Sequence, residues 1–378
     1  MIKWRVSSGY ARVSKRRPCR VCGKPDWCIY TRDEQVTICM RVSQGARRIN
    51  RQGGAIFVHI SNADVPFVYS PPKHDKPQSS LAPICVRDFA YRTLIRLSPA
   101  TSQRKLLVEG QKGLLTRGLA EHQIHSYGAL PTQSRQRDLL AGQTLEVVKA
   151  QFPEITSLRG VPGFWRDSDG WHLWTRRDFQ YPRLLIPCRD RQGLIQACQM
   201  RCFGLYKHRM RYCWLSSNDL PDGTSSGNPL HFTFRPEEMS RDATIVIVEG
   251  LLKADVLAAL RPQTCAVATA GVASNHEMLI KITRGRCVLI AFDQDYYTNE
   301  AVCLRLAALL SCRIKAEKTL KTTQIAAWPR DAKGIDDAVA LNHAVWPISI
   351  ERWFHALSRD LQRRIDTLWP DLTARLRC

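Results

Sequence analysis

Apolar residues are spaced in three different ways along the chain, and each spacing predicts a different element. Between 84 and 160 they recur at steps of three and four, in "VRDFAYRTLIRL", "KLLVEGQKGLLTRGL" and "QRDLLAGQTLEVVKAQF", which predicts helices. The intervening "AEHQIHSYGALP" places Gly128 and Pro131 where a helix would stop, with His122 and His125 as surface residues. From 184, "RLLIPCRDRQGLIQACQMRCF" reads as strand, turn at Asp190–Gly193, and strand. From 243, unbroken apolar runs alternate with helical patterns. "TIVIVEG", "CAVATAG", "CVLIAFDQD" and "TTQIAAWP" predict strands, while "LLKADVLAAL", "SNHEMLIKIT" and "NEAVCLRLAALLS" predict helices, capped in the last two by Ser274 and Asn299. Fully apolar strands separated by helices predict an α/β layer fold with a parallel sheet. The final "SIERWFHALSRDLQRRIDTLWPDLTARLRC" predicts one or two basic amphipathic helices, with Trp353, Phe354, Leu357, Leu361 and Ile365 on one face.

These patterns divide the 378 residues into an N-terminal module (1–69), a Pro/Ser/Lys-rich linker (70–83), a helical region (84–160), a mixed α+β subdomain (161–240), an α/β domain (241–345) and a helical tail (346–378). Charge then narrows the partners. With 56 Lys+Arg against 34 Asp+Glu, net +22, the chain would repel itself unless it met a polyanion, so nucleic acid is the expected partner. No apolar run approaches the length of about 18 residues needed to span a bilayer, and the basic N-terminus lacks an apolar signal core. A cytoplasmic location without membrane contact is therefore expected.

Fourteen cysteines in so long a chain do not suggest a disulfide framework. Cys85, Cys188, Cys198, Cys202, Cys265, Cys287, Cys303 and Cys312 sit mostly in apolar stretches and read as packing residues. Four others differ. In "PCRVCGKPDWCIYTRDEQVTICMR", Cys19 and Cys22 form a C-x2-C knuckle, followed by Cys28 and Cys39. A knuckle bends two thiolates inward, and two more complete a tetrahedral zinc site. We read this as a zinc ribbon, with His59 as the substitute ligand should Cys28 not bind. Thirteen Lys+Arg against three Asp+Glu in residues 1–60, beside Trp27 and Tyr30, suit a phosphate-binding surface. A second mixture of basic and aromatic residues, "LYKHRMRYCWLSS", contains Lys207, Arg209 and Arg211 beside Tyr206, Tyr212 and Trp214. It suits a groove that tracks a nucleic-acid backbone.

The acids are the sharper signal. Glu249 ends one apolar strand, and Asp293 and Asp295 end another about forty residues on. Ligands gather at the carboxyl ends of parallel strands, and converging carboxylates raise one another's pKa unless a cation joins them. Oxygen donors suit Mg²⁺ or Mn²⁺, and Gly250 leaves room for a phosphate near the backbone.

Here "VIVEGLLKAD" and "VLIAFDQD" resemble the toprim domain of bacterial-type primases, topoisomerases and some nucleases. The order of ribbon, "LLIPCRDRQGLIQACQMR", "YCWLSS", "GTSSGNPLHF", these two motifs and "KGIDDAVA" is similar to zinc-ribbon/toprim primase-like proteins of plasmids, phages and integrative elements. The resemblance implies a Rossmann-like toprim sheet at 241–345, preceded by a primase-like α+β subdomain, a helical region and the ribbon. It implies Glu249 as acid/base or metal-organising residue, Asp293 and Asp295 as Mg²⁺ ligands, and Arg201 facing the nucleotide. Where the family commonly has a further acid this chain has Lys253, a candidate contact for the triphosphate or else a sign of weakened metal binding, with Asp255, Asp336 and Asp337 as additional candidate acids. The implied activity is primer synthesis on single-stranded DNA from nucleoside triphosphates, for replication of a mobile element. Since the chain has no G-x-x-x-x-G-K-[ST], any helicase would be a separate protein. A toprim nuclease and a non-catalytic DNA-binding factor are the competing expectations.

Overall fold

The computed structural model describes residues 10–376 apart from 26–27, 33, 43–44, 47, 51–55, 61–79, 204–210, 236, 238, 241, 273, 318 and 320. They fall into two compact units, one of residues 1–77, 295–320 and 349–378, the other of 78–294 and 321–348. Trp27, Tyr206, Lys207 and Arg209 lie outside the described residues.

The first unit opens with short strands β1 (Tyr10–Arg12), β2 (Ile29–Thr31), β3 (Val36–Cys39), β4 (Arg48–Asn50) and β5 (Ile56–Ile60), an antiparallel sheet in the order β1-β2-β3-β5-β4. Its apolar cluster is Val36, Ile38 and Val58, flanked by Tyr10, Ile29 and Met40. So few apolar side chains bury little surface, and such modules generally depend on a metal.

The second unit begins with α1 (Ile84–Leu97), α2 (Glu121–Ile124), β6 (Gly128–Leu130) and α3 (Ser134–Gln151). The region expected to be helical departs from expectation twice. "KLLVEGQKGLLTRGL" forms only a π-turn at Arg104–Val108 and a 3-10 turn at Leu115–Arg117. Gly110 and Gly113 interrupt it, the amide of Gly113 bonding back to the Gly110 carbonyl at 2.6 Å. The predicted stop at 128–131 is a strand, β6, joined to the sheet that follows. That sheet holds β9 (Arg183–Arg189), β10 (Ile195–Cys202) and β11 (Tyr212–Trp214), after a hairpin of β7 (Phe164–Asp167) and β8 (Gly170–Leu173). Its order is β11-β10-β9-β6, all antiparallel. The turn between β9 and β10 lies where expected, closed by Asp190 Oδ1 accepting from the amides of Gln192 and Leu194, both at 2.9 Å.

Arg137 of α3 is completely buried, and its guanidinium donates to four carbonyls, of Pro131, Thr132, Thr175 and Arg177, at 2.6–2.8 Å. Burial pushes it down to about 10, still charged at neutral pH. One side chain thereby ties the start of α3 to the segment between β8 and β9.

Next come β12 (His231–Phe232), β13 (Ile245–Glu249), α4 (Leu251–Leu260), β14 (Cys265–Thr269), α5 (His276–Ile282), β15 (Val288–Ala291), α6 (Glu300–Glu317), β16 (Thr323–Ala327), α7 (Ile335–Ala340) and β17 (Trp346–Ile348). The sheet order is β12-β14-β13-β15-β16-β17. The four inner strands are parallel, as the apolar runs predict, but both edge strands are antiparallel, so the sheet is mixed. Ala254 and Leu257 of α4 and Ile335, Ala338 and Val339 of α7 share one apolar cluster with Val246, Val248, Ala268 and Ala326 of the sheet. The cap of α5 is Asn275 rather than Ser274, whereas the Asn299 side chain does accept from the Ala301 amide at the start of α6.

α6 belongs to the first unit, together with α8 (Ile350–His355), α9 (Arg359–Leu368) and α10 (Pro370–Leu376). The tail is thus three helices, not one or two: Ser349 and Ser358 cap the first two through their side chains, and Pro370 starts the third. Trp353, Phe354, Leu357, Leu361 and Ile365 are all buried. Two of the cysteines read as packing residues, Cys85 and Cys287, are exposed instead, near the ends of their elements. No helix among the described residues is long and apolar enough to cross a membrane.

Candidate active site and metal centre

In the first unit the sulfurs of Cys19, Cys22, Cys28 and Cys39 lie within 4.8 Å of one another. A tetrahedral ion with Zn–S bonds of about 2.3 Å separates its sulfurs by about 3.8 Å. Cys22 to Cys28 is 3.7 Å and Cys28 to Cys39 is 3.9 Å, so the thiols already stand at zinc spacing. Backbone amides of Met40, Arg41 and Val42 point at Cys28 and Cys39 at 3.3–3.5 Å, and the Arg41 guanidinium lies 3.7 Å from Cys28 Sγ. The Cys28 thiol and these amides draw the Cys39 thiol down to about 5, favouring the thiolate that binds metal. The donor set fits zinc. His59 stands apart, its Nε2 2.7 Å from the Val42 carbonyl.

The second unit gathers acids. β13 and β15 are adjacent and parallel, with Val248 opposite Ala291, so Glu249 and Asp293 leave neighbouring strands at their carboxyl ends. Gly250 follows Glu249 with φ +102°, a left-handed value that a side chain would strain, and turns the chain directly into α4. One turn into α4 the Lys253 ammonium donates to Asp293 Oδ1, while Lys333 Nζ approaches Asp293 Oδ2 at 3.7 Å. α7, packed beside α4, brings in Asp336, whose side chain is only 3% exposed.

Gly334 shows how tightly these groups converge. A methyl placed on its Cα would lie 2.5 Å from Asp336 Oδ1, 2.9 Å from Lys253 Nζ and 3.2 Å from Asp293 Oδ1. Three charged atoms therefore surround one small volume, and only a residue without Cβ can border it. Asp336 Oδ2 accepts from Arg117 Nη1 at 2.8 Å, but Oδ1 is buried without a hydrogen-bond partner. An orphaned carboxylate oxygen facing another carboxylate is a natural ligand for a hard cation, so the residues fit a divalent metal. Burial pushes Asp336 up, against the pull of Lys253 and Arg117. Burial also opposes the charge on Lys253, yet Asp293, Asp336 and Glu249 outweigh it and hold the ammonium above its ordinary value.

The other candidates are distributed as follows. Asp295 lies two residues beyond Asp293, in the 3-10 turn Gln294–Tyr297. Asp337 is exposed in the first turn of α7. Asp255 is not brought to the acids. It accepts from Tyr127 Oη at 2.6 Å and lies 2.9 Å from His231 Nε2 and 3.3 Å from Arg189 Nη1. Arg201 is buried, its Nη1 donating to the Lys112 carbonyl at 2.7 Å and its guanidinium stacked over Phe203 and Tyr212. Its charge is felt by Arg117 and Asp336. Arg211 is exposed. Arg117 and Gly334 were missed by the sequence reading; the only signal for the second was the "KG" before "IDDA".

A family model described as a domain of unknown function, DUF3854, matches residues 238–345. No curated protein matches the chain. Among solved structures it is similar to the E. coli primase catalytic core, at 17% identity over 77% of this chain and 91% of that one, with a TM-score of 0.48. The RNA polymerase domain of Mycobacterium tuberculosis primase DnaG is similar at 15% identity, over 74% and 90% of the two chains, TM-score 0.48. The zinc-binding and RNA polymerase domains of the Aquifex aeolicus primase align over 99% of this chain and 92% of that one, at 13% identity and TM-score 0.44.

Proposed function

We propose that the chain is a primase-like nucleotidyltransferase that joins nucleotides on a single-stranded DNA template. The observation that carries this reading is the convergence of Asp293 and Asp336 around Gly334, with Glu249 leaving the neighbouring strand, inside a protein of net charge +22. Acids in a basic protein suit chemistry on phosphates, where a metal must be held while the polyanion is attracted.

In this reading Asp293 and Asp336 hold Mg²⁺ or Mn²⁺. When bound, the ion supplies positive charge to the reacting phosphate oxygens. Glu249 acts beside it as the acid/base or metal-organising group. Arg117, Arg201 and Lys333 set the local potential that draws in a triphosphate, and Gly250 lets it approach the backbone. The four-cysteine module holds zinc and contacts template. The resemblance to proteins of plasmids, phages and integrative elements would make this the priming step of a mobile element's replication, with a separate helicase.

A second reading is favoured by one observation, the contact of Lys253 with Asp293. A carboxylate already neutralised by an ammonium suits a DNA-binding factor without catalysis. The test is incorporation of labelled ribonucleotides on single-stranded DNA. Incorporation that disappears in Glu249→Gln while DNA binding persists supports the enzyme. Incorporation unchanged in that variant contradicts the assigned site.

A further inference from the structure

The ammonium of Lys253 is paired with Asp293, one of the two buried acids that a bridging metal would need. Its Nζ is bonded to Asp293 Oδ1, and both atoms, together with Asp336 Oδ1, crowd within 3.2 Å of the point at which a Gly334 methyl would stand. The remaining oxygens of the two acids already face cations, Arg117 at 2.8 Å on Asp336 and Lys333 at 3.7 Å on Asp293. The side chain of Lys253 is 23% exposed and springs from α4, which shares an apolar cluster with α7 and the sheet. The backbone that carries it is therefore set by the fold. Among the described residues no set of three carboxylates closes to the spacing that the four thiols reach.

We propose that Lys253 is a resident cation of the acidic site, which a divalent ion must displace from Asp293 before it can bridge Asp293 and Asp336. This rests on the reading of those acids as a metal-dependent phosphoryl-transfer centre. Its consequence is a low affinity for free divalent ions, set by one side chain rather than by the number of acids. A displaced ammonium needs a new partner, and the incoming phosphate oxygens provide one. Metal entry and substrate entry are thereby coupled.

The test uses the zinc-loaded full chain and Mn²⁺ alone, with binding read from the loss of the free-ion electron paramagnetic signal. Lys253→Met removes the ammonium while keeping the apolar stem, and Lys253→Arg keeps a cation there. The expected result is binding at least tenfold tighter in Lys253→Met than in wild type, with Lys253→Arg no tighter than wild type. Equal and tight binding by wild type and Lys253→Met would overturn the resident cation and leave the metal site standing. No Mn²⁺ bound by any of the three would overturn both. Should Lys253→Met not fold, the wild-type protein answers by ¹⁵N-lysine NMR during Mg²⁺ titration. A hydrogen-bonded ammonium resonance that moves as the ion binds supports displacement, and one that stays fixed at saturation contradicts it.

Discussion

Arg117 Nη1 lies 2.8 Å from Asp336 Oδ2, joining residues 219 positions apart across the second unit. Asp336 is buried and Arg117 nearly so, with side-chain exposures of 3% and 18%. Removing one partner of such a pair strands the other's charge, at a cost of about 3–5 kcal/mol. Arg117→Met should therefore lower stability by about that amount, measured by urea unfolding. Arg117→Lys should recover only part of it, because an ammonium cannot reproduce the guanidinium's planar donor geometry.

Gly334→Ala separates the site from the scaffold. Gly334 has φ −112°, ordinary for any residue, so alanine would not strain the backbone. Its methyl would instead displace Asp336 Oδ1, Lys253 Nζ and Asp293 Oδ1 together. We expect nucleotide incorporation to fall by more than about 100-fold, since misplacements of about 1 Å cost that much, while the melting temperature falls by less than in Arg117→Met, which removes the Asp336 partner outright.

Asp255 gives the protein an acid limit. Burial favours its neutral form, but His231, Arg189 and Tyr127 outweigh burial and hold the carboxyl below its ordinary value. An acid whose folded-state value lies below the unfolded value of about 4 leaves the folded state with fewer protons in that window. Its contribution is complete above about pH 4 and is lost as pH falls through the folded-state value. Asp255→Asn should cost about 3–5 kcal/mol at pH 7 by stranding Arg189, with the gap to wild type narrowing below pH 4 in acid-unfolding titrations.

Arg137 should be costly to truncate. Arg137→Met would leave four carbonyls without their donor, each worth about 1 kcal/mol or more when buried and unpaired. A loss above about 3 kcal/mol is expected from denaturant unfolding.

The cysteine quartet predicts one zinc per chain by elemental analysis. Cys28→Ser should lose it and open the β1–β5 module to protease, since Val36, Ile38 and Val58 offer too little core to hold that sheet without the metal.

What could be read in advance depended on how far apart in sequence the deciding residues lie. The cysteine spacing and the acids ending "TIVIVEG" and "CVLIAFDQD" are local signals, and so are the apolar runs of the parallel strands. That Glu249 and Asp293 leave neighbouring strands follows from sheet order, which no local pattern encodes. Arg117 looked like any basic residue in a helical stretch until α7 delivered Asp336 to it. The leucines of the same stretch keep helical spacing, but Gly110 and Gly113 break the backbone. Asp255 stands two residues from Lys253, yet α4 turns the two side chains to different neighbours: Asp293 for one, His231 for the other.

The most direct measurement is a single reaction on 5′-labelled single-stranded DNA with differently labelled ribonucleotides and Mg²⁺ or Mn²⁺, resolved on one gel, beside Asp293→Asn. The expected result is short, metal-dependent products carrying the nucleotide label, an intact template, and neither product nor degradation in the variant. Shortened template without incorporated nucleotide would contradict it and make the protein a nuclease. No new product, with DNA binding equal in wild type and variant, would contradict it in favour of a binding protein.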